Sequence, residues 1–519
     1  MDVEQLPAEA RQYIRQLEKT NTVWKRKYDQ LVDEYRLLLY KRFGRSSEGI
    51  DVTQNLLFDE SKQTRSQDDR EEVEQVTVDS YRREKRGRKG LDEKLPREEI
   101  IHDIGEDEKR CACGAELKRI GEEVCERVQV IPEQMYVERH IRPKYACRRC
   151  EGSGDEENPA VRIASAVPSI IPKSIVTPGL LAFIFVNKYV NHLPFYRQEQ
   201  RFERIGIHIS RQDMSNWQRK VFEAILPLNE LLKQHIRNGP VMQMDETTVQ
   251  VMKEPGRKDT QRSYMWLTRG GPPDSPAVFY AYRETRGSRH VAEFIDGFSG
   301  FLQTDGYSGY DAALADRSDI VHVGCFAHVR RKFHDAAKAS KQTGAAHVAM
   351  AKIRKLYDVE RSLRSQELKD EDFLLKRRDA VEPILDSLKR WLDEKVERVP
   401  PESLLGKAVN YARKQWGKLI RYLESPYLTP DTNAAENAIR PFVLGRKNWL
   451  FSGSPAGAES SCAIYSLIET AKQNGLNPYS YLRTVFDAVP RIDDPDSWKT
   501  LLPWNTAEET DPDLVVRKN

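Results

Sequence analysis

From Ile14 onward the apolar and aromatic positions step by three and four, through Leu17, Trp24, Tyr28, Leu31, Tyr35 and Leu38, with Asn21 as the one polar member of the row. That spacing predicts a helix with a heptad seam over residues 1–45, in which a buried amide fixes register and strand number at some cost in stability. With fewer than four full heptads available, the seam serves either a homodimeric coiled coil or a single amphipathic helix docked on its own protein. The periodicity then stops. Residues 46–80 are rich in Ser, Gln, Asp and Glu with few apolar anchors, which predicts a flexible linker, taken here as 46–95.

Helical periodicity returns over 174–235, inside a region bounded as 156–238. Its stretch FYRQEQRFERIGIHISRQDMSNWQRKVF predicts a helix, a break at Gly206, and a second helix opened by Ser210 with Asp213 three residues on as a capping box. This is helix-turn-helix grammar, with Arg211, Gln212, Asn216, Gln218 and Arg219 available to base edges; helical hairpins unrelated to DNA share it. From residue 239 the period changes to two. PVMQMDETTVQV, SYMWLTRG, AVFYAYRE, GFLQTDG and DIVHVGCF are short β-rich runs, the last two separated by helix-compatible stretches, so 239–480 reads as an α/β core. A charged helical insertion over 329–428 interrupts it, with expected breaks at Pro383 and VPPE. The segment YLTPDTNAAENAIRPFVLGRKNWLFSGS predicts a loop, a short helix and an aromatic strand or hairpin; the helix ESSCAIYSLIETAKQNG follows, and 481–519 forms a tail.

At 519 residues the chain exceeds one ordinary core, which predicts a multidomain protein. Eighty-three Lys and Arg against 80 Asp and Glu leave a net charge of only +3, so local distribution must decide whether the partner is a polyanion. YRREKRGRKG at 81–90 concentrates basic groups, Arg86, Arg88 and Lys89 among them, in a form suited to phosphates or a narrow minor groove; a solvated linker has the same composition. No apolar run approaches the roughly 20 residues of a bilayer crossing, and no signal-type core opens the chain, so a soluble cytoplasmic protein is expected.

Seven cysteines in such a chain argue for reduced thiols and a metal site. CACG at 111–114 and CRRC at 147–150 place Cys111, Cys113, Cys147 and Cys150 in two pairs within a module taken as 96–155. Four thiolates can complete a tetrahedral structural Zn2+ site, whose binding energy stands in for the core that a module of that size lacks. The alternative is four ordinary thiols. Cys125 lies between the pairs as a substitute ligand, while Cys325 and Cys462 are read as core residues.

Three acids occupy informative places: Asp245 inside the first core strand, Asp305 at the end of FLQTD before a glycine, and Glu436 in NAAENAIR. Strand alternation puts Asp245 on a face with Val241, Val249 and Val251 and sends Glu246 to the other. Gathered together, the three carboxylates would repel unless cations intervened; two Mg2+ or Mn2+ ions about 4 Å apart would bind them and clamp both oxygens of an in-line phosphoryl displacement. Taken singly, each acid has an ordinary alternative as a helix cap or an Arg partner. Arg440, Arg446 and Lys447 stand near Glu436 in sequence and suit phosphates, and Trp449 suits either base stacking or a core.

MDETTVQV, LQTDGYSGY, GCFAHVRRKF and NAAENAIRPFVLGRKNWLFSGS resemble segments of the large transposase protein of bacterial insertion sequences of the IS-sixty-six family. The resemblance extends to RFGRSSE, KRGRKGL, RPKYACRRC and the LLPWN tail, although CAC is tighter than the C-x-x-C usual in that family. It implies a ribonuclease-H-like mixed-sheet catalytic core with an Asp, Asp, Glu triad falling on Asp245, Asp305 and Glu436. It also implies that CFAHVRRKF supports the active site or DNA, through His328 and Arg331. The expected reaction is cleavage of transposon ends and their joining to target DNA in the bacterial nucleoid. Implied partners are double-stranded DNA, a second copy of the chain, and small companion proteins of the same element. Two other activities share these features: a DNA-binding regulator without chemistry, and a metal-dependent nuclease that does not join strands.

Overall fold

The β-branched and aromatic runs after residue 239 form one five-stranded sheet. The computed structural model describes residues 7–43, 75–78, 81–84, 135–146, 161–339 and 344–506, and the chain divides into two units, Met1–Ser66 with Ser169–Glu509 and Gln67–Pro168 with Thr510–Asn519. In the smaller unit, β1 (Gln75–Val78) pairs antiparallel with β2 (Tyr81–Glu84), and β3 (Lys144–Tyr145) with β4 (Arg162–Ile163). The cysteine pairs and the basic residues Arg86, Arg88 and Lys89 lie outside the described residues, as does most of the expected linker.

In the larger unit the sheet comprises β5 (Val241–Gln250), β6 (Arg262–Gly270), β7 (Ala277–Arg283), β8 (Gly300–Gln303) and β9 (Ile320–Val323), ordered β7-β6-β5-β8-β9. The first three strands form an antiparallel meander; β8 joins β5 in parallel and β9 joins β8 in parallel. Helices Ser288–Phe294 and Ser308–Ala313 lie in the connections to β8 and β9. A parallel pair needs such a crossover, because a tight turn can only reverse the chain. The β7 edge is covered by helix Pro455–Gln473: Thr470 Oγ1 accepts from Val278 N at 3.0 Å and Ser466 Oγ from Tyr280 N at 2.9 Å. Open edge amides are thereby satisfied instead of being left to template another strand.

Between β9 and the Glu436 region run helices Phe326–Ala339, Ala345–Arg364, Asp370–Arg398 and Leu404–Leu419, which is the expected helical insertion. Their apolar faces (Phe333, Ile353, Leu356, Val381, Leu388 and Val409 among them) form one core with Val323, against which Val241, Phe301 and Val321 of the sheet pack. The insertion therefore braces the sheet. Arg377, fully buried, ties it down by pairing with Glu360 at 2.7 Å and donating to the carbonyls of Tyr422, Ser425 and Leu428. Such a buried cation survives only with its partners in place.

Of the two expected breaks, the one at VPPE is present and the one at Pro383 is absent, and the helix expected to be short is long. Helix Asp370–Arg398 runs through Pro383, and helix Asn433–Trp449 is long and runs through Pro441. Proline removes one backbone donor. At the exposed Pro383 water can serve the freed carbonyl, while buried Val381, Leu385 and Leu388 hold the helix on its other side. The expected aromatic strand after Trp449 reduces to a single bridge, Val251 to Ser452, because the chain turns at Leu450 with φ +65°.

Ahead of the sheet, helices Phe195–Arg204 and Arg211–Ala224 form the expected hairpin, with Gly206 at φ +81° and the Ser210–Asp213 capping box made. Helix Ala8–Phe43 is continuous, and its seam residues Leu17, Trp24, Tyr28, Leu31, Tyr35 and Leu38 are each at least half exposed, so the other described residues do not cover them. No helix among the described residues is long and apolar enough to cross a membrane.

Candidate active site

The β5–β8 ladder ends at the Gln243–Gln303 pair, and each strand carries an aspartate two residues further on, Asp245 and Asp305. Gln243 Nε2 donates to Gln303 Oε1 at 2.9 Å, which puts both glutamines on one face. Two-residue alternation keeps Asp245 on that face within β5, whereas Asp305 lies just past the end of β8 and turns to Arg286, the partner of Glu246. Beyond β8 the backbone opens. Asp305 Oδ1 accepts from Tyr307 N at 2.9 Å, and a Cβ on Gly306 would lie 2.6 Å from Tyr411 Oη, so the glycine permits the close approach of helix Leu404–Leu419.

Glu436 reaches this edge because the strand ends hold the loop before it. Gln303 Nε2 donates to Thr429 O at 2.7 Å, Phe326 N to Pro430 O at 2.9 Å, and Thr432 N and Oγ1 to Cys325 Sγ at 3.4 and 3.3 Å. Glu436 lies in the first turn of helix Asn433–Trp449, where the helix dipole favours a carboxylate. Its Oε2 accepts from Arg331 Nη2 at 3.0 Å; its Oε1 lies 3.7 Å from His328 Nδ1, and both of those buried atoms have no hydrogen-bond partner. His328 and Arg331, expected to support the active site or DNA, both lie against Glu436.

Burial pushes the Asp245 carboxyl from 3.8 up to about 7, with the charges of Glu246 and Glu436 adding to the effect. Asp245 and Glu436 therefore sense one another directly. Asp305 faces a cation instead: Arg286 Nη2 lies 3.5 Å from its Oδ2 while the same guanidinium pairs with Glu246. Glu246, almost wholly buried, also accepts from Tyr310 Oη at 2.5 Å. It thus anchors Arg286 on the face opposite Asp245. Among the described residues, the group close enough to share one ion is Cys325, His328 and Glu436, whose ligand atoms lie within 4.8 Å of one another; Asp245 and Asp305 stand outside it. Burial, then the charges of Asp431 and Glu436, push the Cys325 thiol up to about 12.

Of the other candidates, Arg440 and Lys447 are exposed on the Glu436 helix. Arg446 is half-buried and donates to Thr247 Oγ1 at 3.2 Å and Thr248 Oγ1 at 3.3 Å, locking that helix to β5. Trp449 packs edge-on against Phe442 with ring centroids 5.2 Å apart, an intramolecular contact. On the hairpin, Arg211, Gln212, Asn216 and Arg219 are exposed. Gln218 is not: it is buried and bonded to Tyr189 and Ser460, because it falls on the face that packs against helix Pro455–Gln473. Sequence reasoning missed Arg286 and Tyr310, which no periodicity marks, and took Cys325 as core alone, although its three-residue spacing from His328 puts both at one helix start.

The chain is similar to the Transposase IS66 family over residues 173–460 and to the IS66 C-terminal element over 466–504. Residues 108–151, which include all four paired cysteines, match the zinc-finger binding domain of transposase IS66, and 30–100 match the element described as Transposase C of IS166 homeodomain. Two proteins of Sinorhizobium fredii, described as uncharacterized proteins y4jD and y4qI, are also similar. The first is 33% identical over 427 residues, covering 80% of this chain and 81% of its own length; the second is 31% identical over 446 residues, covering 84% and 80%.

Proposed function

Because the chain belongs to the IS66 transposase family, we propose that it cleaves the ends of a mobile element and joins them to target DNA at Asp245, Asp305 and Glu436. The observation that carries this reading is that Asp245 in β5 and Asp305 after β8 each lie two residues beyond the last pair of the parallel β5–β8 ladder, with Glu436 on a helix whose preceding loop is tied to β8. A ribonuclease-H-like core fits the three-strand meander continued by two parallel strands. The oxygen donors suit hard divalent ions, and an Asp245 carboxyl pushed up to about 7 is a group that lacks a nearby cation. When bound, two ions of the Mg2+ class would let the carboxylates coexist and would stabilise both the attacking and the leaving oxygen.

The chain's own groups have separate tasks. Arg331 and His328 orient the Glu436 carboxylate, and Arg286 holds Asp305. In the first step water attacks phosphorus at the element end, the P–O3′ bond breaks, and a 3′-hydroxyl is freed. In the second, that hydroxyl attacks a target phosphodiester, whose own 3′ oxygen leaves. Arg440 and Lys447 on the Glu436 helix, and Arg211, Gln212, Asn216 and Arg219 on the hairpin, present exposed groups to the duplex. Two copies associate through the 8–43 seam, and Cys111, Cys113, Cys147 and Cys150 hold a structural Zn2+.

The test is incubation of the purified chain with Mg2+, labelled element ends and target DNA. Cleavage followed by joined products is expected. Cleavage alone would indicate a nuclease, and binding alone a regulator. Asp245→Ala, Asp305→Ala and Glu436→Ala should each keep DNA binding but lose roughly 10²- to 10⁴-fold in cleavage, the rate equivalent of several kcal/mol of charge stabilisation.

A further inference from the structure

We infer that Cys325, His328 and Glu436 form a second metal site, for a soft divalent ion of the Zn2+ class, and that filling it withdraws Glu436 from DNA chemistry. The binding claim stands on geometry alone; its inhibitory consequence rests on the function proposed above.

Three ligand types meet here from two chain segments. Cys325 and His328 come from the junction of β9 and helix Phe326–Ala339, and Glu436 from the first turn of helix Asn433–Trp449. A tetrahedral Zn2+ site with bonds of about 2.0 to 2.3 Å has ligand atoms about 3.3 to 3.6 Å apart. His328 Nδ1 and Glu436 Oε1, at 3.7 Å, already stand near that spacing, and the whole group lies within 4.8 Å. Those same two atoms are the buried ones left without hydrogen-bond partners. A buried polar atom without a partner is costly unless something else satisfies it, and one metal ion would satisfy both.

The third donor is held differently, by two hydrogen bonds. Thr432 directs its backbone N–H and its hydroxyl at Cys325 Sγ, an arrangement that stabilises negative charge on sulfur. On coordination the S–H proton passes to solvent and an S–metal bond replaces it. A mixed sulfur, nitrogen and oxygen set selects Zn2+ or Co2+ over Mg2+, which prefers oxygen alone. The His328 side chain remains 21% exposed, and a water would be the fourth ligand of a tetrahedral ion held by these three groups.

The experiment uses the full-length protein with its cysteine-pair module loaded with Zn2+, and Co2+ as the probe. Wild type should take up one further equivalent of Co2+ with thiolate-to-cobalt charge-transfer absorption in the near ultraviolet. Cys325→Ser, which keeps an acceptor for Thr432, should lose that band, and His328→Gln should weaken the binding at least about tenfold. In the end-cleavage assay, stoichiometric Zn2+ added over excess Mg2+ should inhibit wild type, whereas Cys325→Ser, compared with its own rate in Mg2+ alone, should resist. Identical cobalt spectra in wild type and Cys325→Ser would overturn the site, and Zn2+ inhibition unchanged by Cys325→Ser would overturn its link to Glu436. If no chain cleaves with Mg2+ alone, the recombinase reading fails while the cobalt spectra still decide the site.

Discussion

Asp245 carries a pH dependence whose sign follows from its surroundings. Its carboxyl is pushed up to about 7, chiefly by burial, so between the unfolded value and that one the folded chain binds more protons than the unfolded. Stability of the metal-free protein therefore falls as pH rises from about 4 to about 7 and stays low above that. Asp245→Asn removes the titration. Measured as Tm without divalent ions, the variant should gain on wild type at about pH 8 and show a much smaller gain at about pH 5; an equal difference at both would refute the assignment. Divalent ions should show the complementary trend and stabilise wild type more at the higher pH, since they bind the ionised carboxylate. That Asp245 and Glu246 turn to opposite faces was legible from strand alternation, and Glu246 turns to Arg286 and Tyr310. Arg286 itself was not legible: it sits in a loop after β7, and only the fold brings it to Asp305.

Between elements, the Gln243–Gln303–Thr429 relay connects the two strand ends to the loop that carries Glu436. Gln303 is fully buried, and Gln303→Leu strands both the Gln243 amide and the Thr429 carbonyl. At about 1 to 3 kcal/mol for each unsatisfied buried group, the variant should lose about 2 to 5 kcal/mol in denaturant unfolding. Cleavage should fall as well, because the Glu436 loop loses its tie to β8. A loss below about 0.5 kcal/mol would show that the relay is not structural. The strands and the hairpin were legible because their periods are regular and their turns are marked by Gly206 and the Ser210 cap. The helices through Pro383 and Pro441 were not, because local proline chemistry argues for a break and only tertiary packing overrides it. Gln218 misled for a related reason: a polar residue on a helix reads as surface until its buried partners Tyr189 and Ser460 are known.

For the whole molecule, the row of Leu17, Trp24, Tyr28, Leu31, Tyr35 and Leu38, exposed among the described residues, supports the proposed association. An exposed apolar stripe of that length is unusual for a monomer, so light scattering should report a dimer for wild type and a monomer for Tyr28→Glu/Leu31→Glu; a monomeric wild type would assign the seam another role. Heptad spacing made that row legible from sequence, as the alternating runs did the mixed α/β core. The approach of Asp245, Asp305 and Glu436 that we propose is not written in any local pattern; it would depend on the parallel β5–β8 register and on the loop held at Gln303. That approach is the claim on which the chemistry depends. Anomalous diffraction at the manganese edge, from crystals of the protein bound to element-end DNA and grown with Mn2+, tests it most directly. Manganese peaks bridged by the Asp245, Asp305 and Glu436 carboxylates are the predicted result; peaks absent from these three side chains, with DNA in place, would contradict it.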